Sequence, residues 1–164
     1  MDADFACGWS KDYGDEVSSV FSRTGFVIKY GNCQIVWLSK LQTEVALSTT
    51  EAEYIALSQA MRDVIPMMQI LEEIQKFMDI PIQKPNVKCT VFEDNNGALE
   101  LAKAPKMRPR TKHIALKYHH FRSHVQAGKI DIQPIDTCQQ QADIFTKPLS
   151  RELFESLRQM LCGW

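Results

Sequence analysis

The stretch that opens at Ser48 constrains the fold of this chain more than any other feature. Ser48-Thr49-Thr50-Glu51 is a capping-box pattern, in which the serine oxygen caps a backbone N–H and the glutamate three residues on reaches back to the open end. Apolar residues then recur at three- and four-residue spacing at Tyr54, Leu57, Met61, Val64, Met68 and Leu71, joined by a second stripe at Met67, Ile70, Ile74 and Phe77. The pattern predicts a long helix buried on a broad face. Pro66 removes one N–H and crowds the carbonyl four residues back, so a kink is expected near residues 62 to 66. Methionines at this spacing are core filler, not a ligand set.

A helix of this kind needs a sheet to lie on, and the flanking segments supply strands. Phe26, Ile28 and Tyr30 alternate with Val27 and Lys29, a Gly31-Asn32 turn follows, and Ile35 to Leu38 resumes the apolar run, which predicts a hairpin. Residues 3 to 5 read as a strand end, and 8 to 19 as a loop. Val87 to Phe92 is a β-branched run suited to a buried strand, 95 to 104 a short helix closed by Pro105 and Pro109, and Thr111 to Val125 a further helix. Ile130, Ile132 and Ile135 suggest another strand. The stretch from Gln139 to Leu161 reads as helix, interrupted at Pro148. Strands and helices in this order predict a mixed α/β layer with a helical face. With 164 residues, 45% hydrophobic, one domain over residues 1–164 is expected.

Composition excludes several classes. No apolar run approaches the roughly 18 residues of a membrane helix. Met1-Asp2-Ala3-Asp4 carries acids where a secretory signal carries basic residues, so a cytoplasmic or nuclear setting is expected. The five cysteines are scattered without a Cys-x-x-Cys pair, which disfavours disulfide frameworks and zinc sites. The formal net charge is -1, yet residues 101 to 130 hold eight of the 19 basic residues and none of the 20 acids. An acidic body with one basic segment suits a polyanionic partner, although a solvated lysine-rich face is the plainer account.

Four carboxylates fall at strand ends and helix starts: Asp2, Glu53, Asp94 and Asp143. Each alone reads as an ordinary terminal, capping or helix acid. Taken together they acquire meaning from a resemblance. The pieces DADFA (2–6), SRTGFVI (22–28), VWLSKLQTEVALSTTEAEYIALS (36–58), VFEDNNGALELA (91–102), RTKHIALKYHHFR (110–122) and QADIFTKPL (141–149) occur in the order of a known family. Over essentially its whole length the chain closely resembles the ribonuclease H domain of copia-type LTR retrotransposon polyproteins.

That resemblance implies a ribonuclease H-like fold, a five-stranded mixed sheet with the first three strands antiparallel and helices packed on it. It also implies a metal-dependent endonuclease that cuts the RNA strand of an RNA/DNA hybrid during reverse transcription. The family's catalytic and metal-ligating acids fall on Asp2, Glu53, Asp94 and Asp143, with Glu51 left as the capping residue. Two Mg2+ ions are implied, with Mn2+ able to substitute. They suit phosphodiester hydrolysis because they activate water and stabilise the leaving 3' oxygen, and magnesium takes oxygen ligands. In the basic segment Lys106, Arg108, Arg110 and Lys112 are candidates for phosphate contacts, with Tyr118 or His119 packing on sugars and Arg122 beside them, and a hybrid is selected by backbone shape and 2'-hydroxyls. The adjacent His119 and His120 cannot share one helix face, which disfavours metal binding by histidine. An attached reverse transcriptase domain is a further expected partner, and a retroelement particle or the nucleus the expected location.

Two departures from the family pattern bear on activity. The loop from Pro134 to Gln141 lacks the histidine that many cellular ribonucleases H carry there, which predicts slower or differently gated turnover. Only Met1 precedes Asp2, so the first strand is expected to be short and Asp2 weakly held, with unpaired neighbours costing about 1 to 3 kcal/mol per buried group. The alternative to an active enzyme is an inactive ribonuclease H-like remnant that binds nucleic acid or a reverse transcriptase. A reading of Asp2-Ala3-Asp4 as an aspartate-nucleophile phosphatase motif requires alternating parallel βα units, and the hairpin near the start argues against it.

Overall fold

The protein is described by a computed structural model over residues 1–9, 17–78, 87–104, 114 and 116–164. β2 (Arg23–Tyr30) and β3 (Cys33–Leu41) form the predicted hairpin, with Tyr30 opposite Cys33 across a two-residue turn. Gly31 takes φ +61 there, a left-handed conformation that glycine adopts without a Cβ clash. β1 (Asp2–Asp4) lies antiparallel on the other edge of β2, pairing Asp2 with Gly25.

α1 (Thr49–Phe77) runs uninterrupted through Pro66. Ser48 accepts the Glu51 N–H at 3.1 Å as the capping pattern predicts, but the glutamate reaches one residue further back and accepts the N–H of Leu47 at 2.8 Å. Its first half is covered on two sides, by β1 and β2 on one and by α2 (Asn96–Lys103) and the 3-10 turn Leu116–His119 on the other. Every residue from Glu51 to Ser58 is therefore buried. Full burial of Phe26, Ile55 and Leu57 contributes roughly 1.5–3 kcal/mol per side chain. The second half departs from expectation. Val64 and Met68 are buried, whereas Ile70, Ile74 and Phe77 of the second stripe are exposed, because the sheet does not extend beneath them.

β4 (Cys89–Glu93) and β5 (Ile130–Pro134) pair in parallel, joined through α2 and α3 (Arg122–Gln126), with Val91, Ile130 and Ile132 facing the core. The helix expected up to Val125 is broken into the turn Leu116–His119 and the short α3. Consecutive side chains there have separate tertiary anchors: the Tyr118 hydroxyl donates to Glu44 Oε2 at 2.7 Å, and His119 Nδ1 lies 2.7 Å from the Tyr54 hydroxyl. The last stretch likewise divides into a 3-10 turn, Gln141–Phe145, and α4 (Arg151–Cys162), which starts at the Ser150 cap. No described helix is long and apolar enough to cross a membrane.

The five strands do not form the expected continuous sheet. They form a three-stranded antiparallel sheet, β1-β2-β3, and a separate two-stranded parallel sheet, β4-β5. β1 offers only three residues, all paired with β2. Where its outer edge faces β4, the Met1 ammonium donates to Phe92 O at 3.2 Å, and one such bond does not make a ladder. A cleft of about 710 Å³ opens between the sheets, lined by Phe26 to Ile28 of β2, Thr90 to Phe92 of β4 and Ala60, Met61 and Val64 of α1.

Candidate metal centre

Three chain-distant elements bring carboxylates to one point. Asp2 comes from β1, Glu53 from the second turn of α1, and Asp94 from the residue that follows β4. Glu53 lies two positions past the capping Glu51 and so about 200° round the helix, which separates the two glutamates by role. One ligand oxygen from each of Asp2, Glu53 and Asp94 can be chosen so that all three lie within 4.8 Å of one another. Asp2 and Glu53 are buried, and Glu53 Oε2 has no hydrogen-bond partner. An orphaned, buried carboxylate oxygen facing two other carboxylates fits a divalent cation, and an oxygen-only donor set selects a hard one.

Asp143 lies outside this triad and is joined to Asp2 through Lys147. It belongs to the 3-10 turn Gln141–Phe145 and not, as its position suggests, to the last helix. Its carboxylate is fully buried and pairs with the Lys147 ammonium at 2.9 Å, and the same ammonium lies 3.7 Å from Asp2 Oδ1. The turn is able to close on β2 because residue 25 is glycine: a Cβ there would meet Thr146 Cγ2 at 2.6 Å and Phe145 Cβ at 2.9 Å. Asp2 itself is 1% exposed and accepts a hydrogen bond from the Thr146 hydroxyl, and Gln140 Nε2 donates to Met1 O at 2.8 Å. These contacts hold Asp2 far more firmly than the shortness of its strand suggests.

Glu93 is a fifth acid that sequence reasoning passes over. It is fully buried, accepts the Asn95 N–H at 2.9 Å through Oε1, and leaves Oε2 unpartnered. Adjacent strand residues point to opposite faces, so alternation admits only one of Glu93 and Asp94 to the site. Asp94 lies just past the end of β4, where alternation no longer applies. The loop after β5 also reaches in, with the Thr137 hydroxyl donating to Asp94 Oδ2 at 3.0 Å.

Crowding of like charges shows in the acidities. Burial pushes the Glu53 carboxyl up the furthest, reinforced by the fields of Glu93, Asp2 and Asp94. Burial raises Glu93 to about 7, against the opposing pull of the Asn95 N–H and the Met1 ammonium. Burial and then Asp2 raise Asp143 to about 6, although Lys147 opposes them. Burial works against the Lys147 charge, but its bond to Asp143 and the fields of Asp2, Asp143 and Asp94 leave its pKa above the ordinary lysine value.

The residues proposed for nucleic-acid contacts divide into two groups. Lys106, Arg108, Arg110 and Lys112 lie outside the described residues. Tyr118 and Arg122 are turned inward: Tyr118 binds Glu44, and the Arg122 guanidinium donates to Ala104 O.

Fold and pocket together define a mixed α/β protein with a carboxylate cluster suited to a hard divalent cation. The chain is homologous to copia-type retrotransposon Pol polyproteins. It is 36% identical over 148 residues, 90% of its length, to each of the retrovirus-related Pol polyproteins from transposons RE2 and RE1 of Arabidopsis thaliana. To that from transposon TNT 1-94 of Nicotiana tabacum it is 34% identical over 150 residues, 92% of its length. The chain spans only 9%, 9% and 11% of these relatives, whose names describe whole polyproteins and assign no activity to the matched stretch. No family model matches the chain, and no solved structure matches it.

Proposed function

We propose that this chain is the ribonuclease H portion of a copia-type Pol polyprotein, a Mg2+-dependent endonuclease that hydrolyses the RNA strand of RNA/DNA hybrids. The observation that carries this reading is the meeting of Asp2, Glu53 and Asp94 oxygens within 4.8 Å from three separate elements. The homology to Pol polyproteins and the order of the sequence motifs support it.

Asp2, Glu53 and Asp94 would hold one Mg2+, and Asp2 with Asp143 a second. Bound there, the metal supplies an activated water and stabilises the departing 3' oxygen. Within the chain, Thr137 orients Asp94, Thr146 orients Asp2, and burial of Glu53 and Asp143 disfavours their charged forms until a cation is bound to pair with them. The basic run Lys106, Arg108, Arg110 and Lys112 supplies phosphate contacts, and a hybrid is chosen through backbone shape and 2'-hydroxyls. A reverse transcriptase domain of the same polyprotein is the natural partner, in a retroelement particle or the nucleus.

One observation favours a second reading. The three-residue β1, which leaves the described strands in two sheets, is the feature expected of an inactive module that binds nucleic acid or a reverse transcriptase without cutting. Labelled RNA/DNA hybrid, duplex DNA and duplex RNA incubated with the protein and Mg2+ separate the two. Cleavage confined to the RNA strand of the hybrid is expected, with Asp94→Asn retaining hybrid affinity and losing cleavage. Binding without Mg2+-dependent cleavage would replace the enzyme by the binding module.

A further inference from the structure

The acidic pocket is not left as bare negative charge. Lys147 Nζ stands 2.9 Å from Asp143 Oδ2 and 3.7 Å from Asp2 Oδ1, while those two carboxylates are almost wholly buried, at 1% and 2% exposure. The Lys147 side chain is 31% exposed, so it enters the pocket from its solvent edge. Asp2 belongs to both groups, lying 3.7 Å from the Lys147 ammonium and within the oxygen cluster it shares with Glu53 and Asp94.

We propose that Lys147 is the resident counter-cation of this pocket: it fills the seat between Asp2 and Asp143, so the protein takes up one divalent ion readily on Asp2, Glu53 and Asp94 and a second only by displacing Lys147. The proposal rests on the metal-centre reading above and adds a rule for its occupancy. An ammonium and a divalent ion cannot share the same pair of carboxylates at close range, because their repulsion in a buried setting is far larger than in water. Removal of a cation from buried carboxylates is costly unless another arrives, which couples departure of Lys147 to arrival of the ion. Its flexible four-carbon stem, already partly in solvent, lets the ammonium swing outward while its backbone stays in place. Among the described residues no lysine pairs with Glu53; the Met1 ammonium acts on it through its field but donates its hydrogen bond to Phe92 O, and Glu53 Oε2 is unpartnered, so the first seat is open where the second is closed.

Calorimetric titration with Mg2+, together with a count of bound Mn2+ by electron paramagnetic resonance, tests this on the whole chain. Wild type should show one readily filled site and one much weaker. Lys147→Met, which keeps the stem and removes the charge, should tighten the second event by roughly tenfold or more, and Lys147→Arg should behave as wild type. Glu53→Gln should lose the first event. Equal affinities for both ions in wild type, or a second event unchanged in Lys147→Met, would overturn the proposal while leaving the metal centre standing. Absence of any bound Mn2+ would bring down both. Amine labelling of wild-type Lys147, read by mass spectrometry, needs no variant to fold: labelling should rise only at Mn2+ concentrations above those that fill the first site, and labelling indifferent to metal would overturn the proposal.

Discussion

The Thr137 hydroxyl donates to Asp94 Oδ2 at 3.0 Å, tying the loop after β5 to the acid that ends β4. The bond fixes one carboxylate oxygen and so the direction from which Asp94 meets Asp2 and Glu53. Thr137→Val removes the donor while keeping the side chain's shape. We expect roughly a tenfold loss of Mg2+ affinity, measured by calorimetry, with Thr137→Ser close to wild type. Unchanged affinity in the valine variant would show that the loop contact does not orient the acid.

Protonation should govern the stability of the metal-free protein. Asp143 and Glu93, raised in the fold to about 6 and about 7, hold protons that the unfolded chain has already released. Each therefore favours folding at low pH, with its contribution fully present below the ordinary carboxylate range and lost as pH rises through its folded value. Urea melts in EDTA should show stability falling between about pH 5 and pH 8. Saturating Mg2+ should flatten or reverse that fall, because metal binds the deprotonated acids. A metal-free stability that climbs over the same interval would contradict the crowded-carboxylate account.

Glu53→Gln should stabilise the metal-free fold and remove the first, readily filled metal event. The neutral amide relieves the charge that burial and three neighbouring acids oppose, and each pKa unit so relieved is worth about 1.4 kcal/mol. Thermal melting with and without Mg2+ reads both effects. A variant less stable than wild type in EDTA, or one still stabilised by Mg2+ at the concentration that fills the first site, would show that Glu53 lies outside the cluster's electrostatics.

Gly25→Ala should damage the site from a distance. The added methyl meets Thr146 and the backbone carbonyl of Ala142, so the turn that carries Asp143 must lift from β2. We expect destabilisation of about 1–3 kcal/mol and a weaker second metal event, with the first largely kept. Wild-type melting behaviour would mean that the turn accommodates the methyl without moving.

The sequence by itself determined the local elements and the roles carried by short patterns: the hairpin around Gly31, the helix start at Ser48, the presence of β4 and β5, and Glu51 as the cap. It also marked Asp2, Glu53, Asp94 and Asp143, through the order of its motifs. Only the tertiary structure decided which acids meet, since that depends on three elements far apart in the chain arriving at one point. It divided the five strands into two sheets, because a three-residue β1 cannot ladder to β4, and it left the far half of α1 exposed beyond the sheet's edge. Glu93 and Lys147 were silent in the sequence, where strand alternation and a lone basic residue carry no sign of the pocket that packing builds around them, and Thr137 stood out only as one of three residues, with Gln139 and Gln140, in the loop that lacks the family's histidine.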